Sequence, residues 1–197
     1  MLKVISNLRN VVAIAACLAA GIIFSGCKED NKDSSPAQSS SRVIKASELI
    51  SKEDATAILE QSIDKEEEET GYYRDVIRYK STDFSIDVQL YQKALYNGKD
   101  YAKWLKDMEN AISKYEGIIK IDGIERAAYR QKGLGFDQWL LYVFYGDYYI
   151  NICIGDRPVS LNTADDDTEE ETAWKHAKLT ETAKLAVEHL KEILKNW

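Results

Sequence analysis

The sequence predicts an α+β fold: an antiparallel sheet of about five strands with helices packed on one face. Three observations lead there. In "FSIDVQL" Phe84, Ile86, Val88 and Leu90 alternate strictly with polar residues, the period of a half-buried strand. Three other stretches repeat apolar residues at the period of an amphipathic helix. The strands are joined by hairpin loops, which imply antiparallel pairing, and such a sheet needs one face covered by helices.

The elements follow in order. "SKEDATAILEQSI" begins a helix at Ser51, where Asp54 completes a capping-box pair and Ala55, Ile58 and Leu59 supply the apolar stripe. The acidic run Glu66–Glu69 reads as a solvated turn. "YYRDVIRY", with Tyr73, Ile77 and Tyr79, and "FSIDVQL" then form two strands around a loop at Ser81, Thr82 and Asp83. "NGKD" stops the sheet, Asp100 caps a second helix, and Gly117 ends it. The stripe of that helix is Tyr101, Trp104, Leu105, Met108, Ile112 and Tyr115.

"IIKIDGIERAAYRQ" reads as strand broken at Gly123, and "KGLG" leads into "WLLYVFYGDYYINICI". Gly146-Asp147 is a two-residue hairpin turn with glycine where a positive φ is wanted. That turn sets Tyr145 against Tyr148, Val143 against Ile150, Leu141 against Ile152 and Trp139 against Ile154, all on the core side. Thr168 and Glu171 form a capping box for the last helix, whose stripe is Leu179, Ala183, Ala186, Leu190, Ile193 and Trp197. The predicted order is α-β-β-α-β-β-β-α. Helix followed by hairpin in each half hints at a weak internal duplication.

The N-terminus has a separate logic. Lys3 and Arg9 precede an uncharged apolar run from Val11 to Phe24. That run is about 14 residues, short of the ~20 of a spanning helix and suited to a signal-peptide core. Ser25 and Gly26 then stand before Cys27, and "FSGC" resembles the lipobox of bacterial lipoproteins. The resemblance implies that residues 1–26 are removed and that the Cys27 thiol carries a diacylglycerol. Residues 27–45, rich in Ser, Asp and Lys, form the lipidated cysteine and a flexible tether whose ends lie roughly 25 Å apart. Residues 46–197 make one domain.

Composition narrows function. The formal charge is −7, and residues 1–26 hold two cations and no acid, so the processed chain is more acidic by two. An acidic chain without Lys/Arg clusters excludes a nucleic-acid footprint, and it leaves the acyl chains to hold the membrane. Of three cysteines, Cys17 leaves with the signal and Cys27 takes the lipid, so Cys153 has no intrachain partner.

Chemistry-bearing residues are sparse. His176 and His189 are 13 positions apart on one helix, too far to share a metal, and read as helix-edge or packing residues. Cys153 alternates with the core isoleucines and lacks a neighbouring base, so it reads as a packed thiol. The acidic stretch 165–171 could attract calcium, but it lacks the EF-hand spacing, and Glu169, Glu170 and Glu171 suit a helix N-terminus. "KGLGF" leads into a strand rather than a helix, which is wrong for a phosphate loop. No catalytic residue, metal or cofactor is expected. On the hairpin's outer face Tyr142, Phe144 and Tyr149 stand beside Leu140, Asn151 and Cys153. Either a second layer covers these rings, or Tyr142, Phe144 and Tyr149 form an interaction surface for a protein or small envelope ligand.

"ASELISKEDATAIL", "IDGIERAAY", "LLYVFYGDYYINICI" and "KLTETAKLAVEHLKEIL" together resemble a broad group of small bacterial lipoproteins, many from Gram-positive bacteria. Glu125 and Arg126 occupy places where that group tends to have glycine and aspartate. The resemblance spans about residues 46–195 and implies an exported, anchored α+β domain without catalytic residues to carry over. The expectation is therefore a non-enzymatic binding domain held to the bilayer through acylated Cys27 on the extracytoplasmic side. The alternatives are an inhibitor or immunity-type lipoprotein and an envelope hydrolase.

Overall fold

The computed structural model describes residues 42–124, 127–132, 138–156 and 167–197. Residues 1–26, Cys27, the tether up to 41, Glu125, Arg126, most of "KGLGF", and Asp165 and Asp166 lie outside them.

Two short helices open the domain, α1 (Ala46–Leu49) and α2 (Lys52–Leu59). Strands β1 (Lys65–Thr70), β2 (Arg74–Lys80) and β3 (Phe84–Gln92) follow, then helix α3 (Tyr101–Ile112). Strands β4 (Ile119–Lys120), β5 (Ala127–Lys132), β6 (Gln138–Tyr145) and β7 (Tyr148–Asp156) lead to the long helix α4 (Glu169–Lys195). All seven strands form one sheet in the order β1-β2-β3-β7-β6-β5-β4, and every neighbouring pair is antiparallel.

The α+β class holds, but the count of about five strands rises to seven. The acidic run is not a turn. Glu66–Glu69 lie in edge strand β1, where Glu67 is bridged by Lys65, Arg78 and Lys80. Hydrogen bonds from Lys65, Lys80 and Arg78 hold the Glu67 carboxyl down at about 2. A charged edge is also a poor template for pairing with another chain. The interrupted strand at Gly123 resolves into β4 and β5, with Gly123 itself at φ +80.

The hairpin register matches the expectation pair for pair, from Tyr145–Tyr148 to Trp139–Ile154. Both capping boxes form: Ser51 Oγ accepts from the Asp54 N–H, and Thr168 Oγ1 accepts from the Glu171 N–H. Asp100 caps α3 through the Lys103 N–H, but that helix ends at Ile112 and leaves Tyr115 exposed.

Helices occupy both faces of the sheet, not one. Helices α1, α2 and α4 pack on the face that presents Ile77, Tyr79, Ile86, Val88, Leu90, Leu141, Val143, Ile150, Ile152 and Ile154. Helix α3 packs on the opposite face and encloses Ala127, Tyr142, Phe144 and Tyr149 beneath Tyr101, Leu105 and Ile112. Topology requires one crossing helix. The chain leaves β3 in the middle of the sheet and resumes at β4 on the far edge, so the connection must cross a face. Because α2 and α3 lie on opposite faces, the two halves are not a geometric repeat.

The domain begins earlier than residue 46. Ile44 is fully buried, its N–H donates to Gln92 Oε1 (2.9 Å), and Gln92 Nε2 donates to its carbonyl (2.7 Å). Next to it Asp75 accepts from the Ala46 N–H at 2.7 Å and from Lys45 Nζ at 3.1 Å. A side-chain amide thus replaces a strand partner, which satisfies both backbone groups of a buried residue.

Two stability measurements test this packing. Phe144→Ala removes a fully buried ring between sheet and α3 and should lower unfolding free energy by about 3–5 kcal/mol in urea denaturation. Gln92→Ala should cost about 1–3 kcal/mol and release the Ile44 amide to hydrogen exchange. An Ile44 amide still protected in that variant would show that the clamp is not what holds the segment.

Candidate functional site

The expected interaction surface is interior. Tyr142, Phe144 and Tyr149 are buried among Tyr91, Tyr96, Trp104 and Tyr129. Phe144 stacks on Tyr149 at 4.9 Å, and Trp104 meets Tyr91, Tyr96 and Tyr101 at 5.5–5.8 Å. Burial pushes the Tyr142 hydroxyl up to about 12 and Tyr149 well above its ordinary value. These rings contribute to stability by apolar burial and edge or offset contacts, and they are not available to a partner. Cys153 lies farther along the same face, across from Asp87. Burial, with the Asp87 charge, pushes its thiol up to about 12, so it stays protonated and poorly nucleophilic.

Charge gathers instead where β7 ends and α4 begins. Lys175 is essentially buried, and its Nζ donates to Asp156 at 2.7 Å and to Asp167 at 2.6 Å. Asp167 also accepts from Trp139 Nε1 at 3.0 Å. Burial alone would pull the Lys175 ammonium down, but the bonds to Asp156 and Asp167 outweigh it and hold it above its ordinary value. Burial would likewise raise Asp167, and Lys175 and Trp139 reverse that shift. A lysine held this firmly in its charged form is an organiser of the helix start, not a nucleophile.

The sequence carried a signal for this lysine that the stripe beginning at Leu179 missed. Lys175 stands four residues before Leu179 and so continues the buried face of α4.

Beside this cluster runs a cleft of about 520 Å³ between α4 and β5, lined by Arg130, His176, Ala177, Thr180, Glu181 and Lys184. His176, Thr180 and Lys184 are four residues apart in turn and line one side of α4. Arg130 comes from β5, in register with buried Leu141. Its Nε and the Nε2 of His176 are both shielded from solvent and have no hydrogen-bond partner. The His176 ring stands perpendicular to Trp139 with centroids 4.1 Å apart. Burial and the Arg130 charge lower its affinity for a proton. The second histidine is elsewhere, its Nδ1 2.9 Å from the Leu49 carbonyl oxygen.

A second cleft, of about 420 Å³, lies over Phe84 and Trp174 and is edged by Glu60, Glu170 and Glu171. Glu171 is committed to its cap, where the Thr168 N–H and hydroxyl hold its carboxyl below the ordinary range. In the acidic stretch considered for calcium, Asp167 is tied to Lys175. Among the described residues no group of three or more His, Cys, Asp or Glu converges as a metal site.

The lysine cluster makes acid stability measurable. The folded Asp167 carboxyl titrates below its unfolded value, so its contribution is present above the ordinary carboxylate range and lost as pH falls through the folded value. Asp167→Asn should therefore be less stable at neutral pH and should flatten the acid limb of the stability curve. Lys175→Met should cost about 3–5 kcal/mol, because Asp167, with its side chain only 4% exposed, loses its cation. The sequence matches no known protein family, and neither curated proteins nor solved structures give a match.

Proposed function

We propose that this chain is an extracytoplasmic lipoprotein, anchored through acylated Cys27, whose domain binds a ligand rather than transforming one. The observation that carries the anchor is the sequence around Cys27: cations, an apolar run too short to span, small residues, then cysteine and a polar string. Each buried methylene of an acyl chain contributes about 0.8 kcal/mol, so two or more chains hold stably where one does not. Among the described residues no helix is long and apolar enough to cross a membrane.

The binding reading draws on the state of the reactive groups. The Cys153 thiol and the Lys175 amine are both held protonated, the forms that do not attack an electrophile. Among the described residues no carboxylate is hydrogen-bonded to the His176 ring to orient it as a general base, and the ring packs on Trp139. The cleft at Arg130 offers hydrogen-bond donors, which suits recognition.

Mass spectrometry of the chain extracted from its native membrane should find a mature N-terminus at Cys27 bearing acyl chains. Cys27→Ala should move the protein from the membrane to the soluble fraction. An unmodified Cys27 in a membrane-free wild-type chain would overturn the anchor.

A further inference from the structure

We propose that the cleft between α4 and β5 is a binding site for a phosphate group, carried by a small solute or a lipid headgroup, with Arg130 as its main anchor. The proposal rests on the reading of this chain as an anchored binding domain and names the chemistry its ligand presents.

Three positively charged or donor groups converge there from two elements. Arg130 rises from the sheet, while His176 and Lys184 descend from one side of α4. Elsewhere on the sheet and its covering helix, Arg78 meets Asp87 and Glu67, Lys175 meets two aspartates, and Lys178 meets Glu60 and Glu181. Among the described residues Arg130 has no such carboxylate. Burial alone lowers its affinity for a proton, with no opposing anion.

A shielded polar nitrogen without a partner is destabilising, and a ligand that satisfies it recovers that cost. Arg130 and His176, each with one such shielded and partnerless nitrogen (Nε and Nε2), both line this cleft. Thr180 is not a competitor for the role, since its hydroxyl donates to the His176 carbonyl at 2.8 Å.

The donor set selects the ligand. A guanidinium offers a planar fork to oxygen anions, and an ammonium adds a point charge. A metal cation would be repelled by the same groups. The Arg130 charge disfavours a proton on His176, and an anion seated between them would cancel that repulsion. Glu181 is the one acid on the rim, and it lies 3.5 Å from Lys178. A volume of about 520 Å³ accommodates a phosphate with an attached organic group.

The test uses the full-length chain in phosphatidylcholine nanodiscs, with the backbone amide signal of Ala177, on the cleft wall, followed by NMR. Inorganic phosphate should move that signal saturably at millimolar concentration, and sodium chloride at matched ionic strength should not. Arg130→Gln should weaken binding at least tenfold without changing the melting temperature, and Arg130→Lys should keep part of it. A headgroup source would appear as the same shift in discs containing phosphatidic acid without free phosphate. A solute source would leave those discs silent while phosphate still binds. No saturable shift, or an equal affinity in Arg130→Gln, would overturn the site. The Cys27→Ala chain should keep its phosphate response in solution, so loss of the anchor and loss of the site are separate results.

Discussion

The antiparallel pairing of β3 with β7 is the constraint from which the rest of the architecture follows. Nine residue pairs, from Phe84–Asp156 to Gln92–Tyr148, join two meanders that would otherwise be separate sheets. Once β7 is placed beside β3, the chain leaving β3 starts from the middle of a seven-stranded sheet and must reach its far edge. The crossing segment has to lie on a face, because a sheet offers no path through itself. Helix α3 is that segment. The aromatic side chains under it are then a consequence of topology: a covered face has to be apolar, and Tyr142, Phe144 and Tyr149 make it so.

Covering both faces moves recognition to the margins. The sheet centre is closed by α4 on one side and α3 on the other, so a ligand must enter beside a helix. The margin of α4 is the better prepared. Its first turns are fixed by the Thr168 cap and by Lys175, which is clamped between Asp156 on β7 and Asp167 just before the helix. A helix pinned at that point holds His176, Thr180 and Lys184 at constant height over β5. The buried ion cluster therefore serves the neighbouring cleft by fixing its wall, a specificity role that buried charges can fill even where their net contribution to stability is small.

What could be read from the sequence was local. The 138–156 hairpin declared its register because a glycine turn fixes the phase and alternation fixes the face. Both capping boxes were legible for the same reason: the partners are three residues apart. Strand β1 was not, since four consecutive glutamates carry no strand propensity and become a strand only when β2 supplies Lys80 and Arg78. The place of α3 was illegible too. Its stripe shows that one side is buried, but that it crosses a sheet face at all follows from the pairing of β3 with β7, a contact between segments some sixty residues apart. Arg130 and His176 fall in the same class, because nothing in their spacing brings a strand and a later helix together.

Net charge and local charge answer different questions in this molecule. A chain with formal charge −7 repels polyanions at the distance where its charges act as one, and salt screens that field over about 8–10 Å. Inside the α4–β5 cleft the relevant separations are shorter, and the groups that meet an incoming ligand are Arg130, His176 and Lys184, with Glu181 turned to Lys178. The many phosphates of a polyanion would all feel the long-range term. A ligand with a single phosphate meets mainly the short-range term, set by the cations that line the cleft. For the proposed phosphate ligand, size selection by charge would need no further device: the net acidic surface would disfavour large anions, and the Arg130 guanidinium would favour small ones.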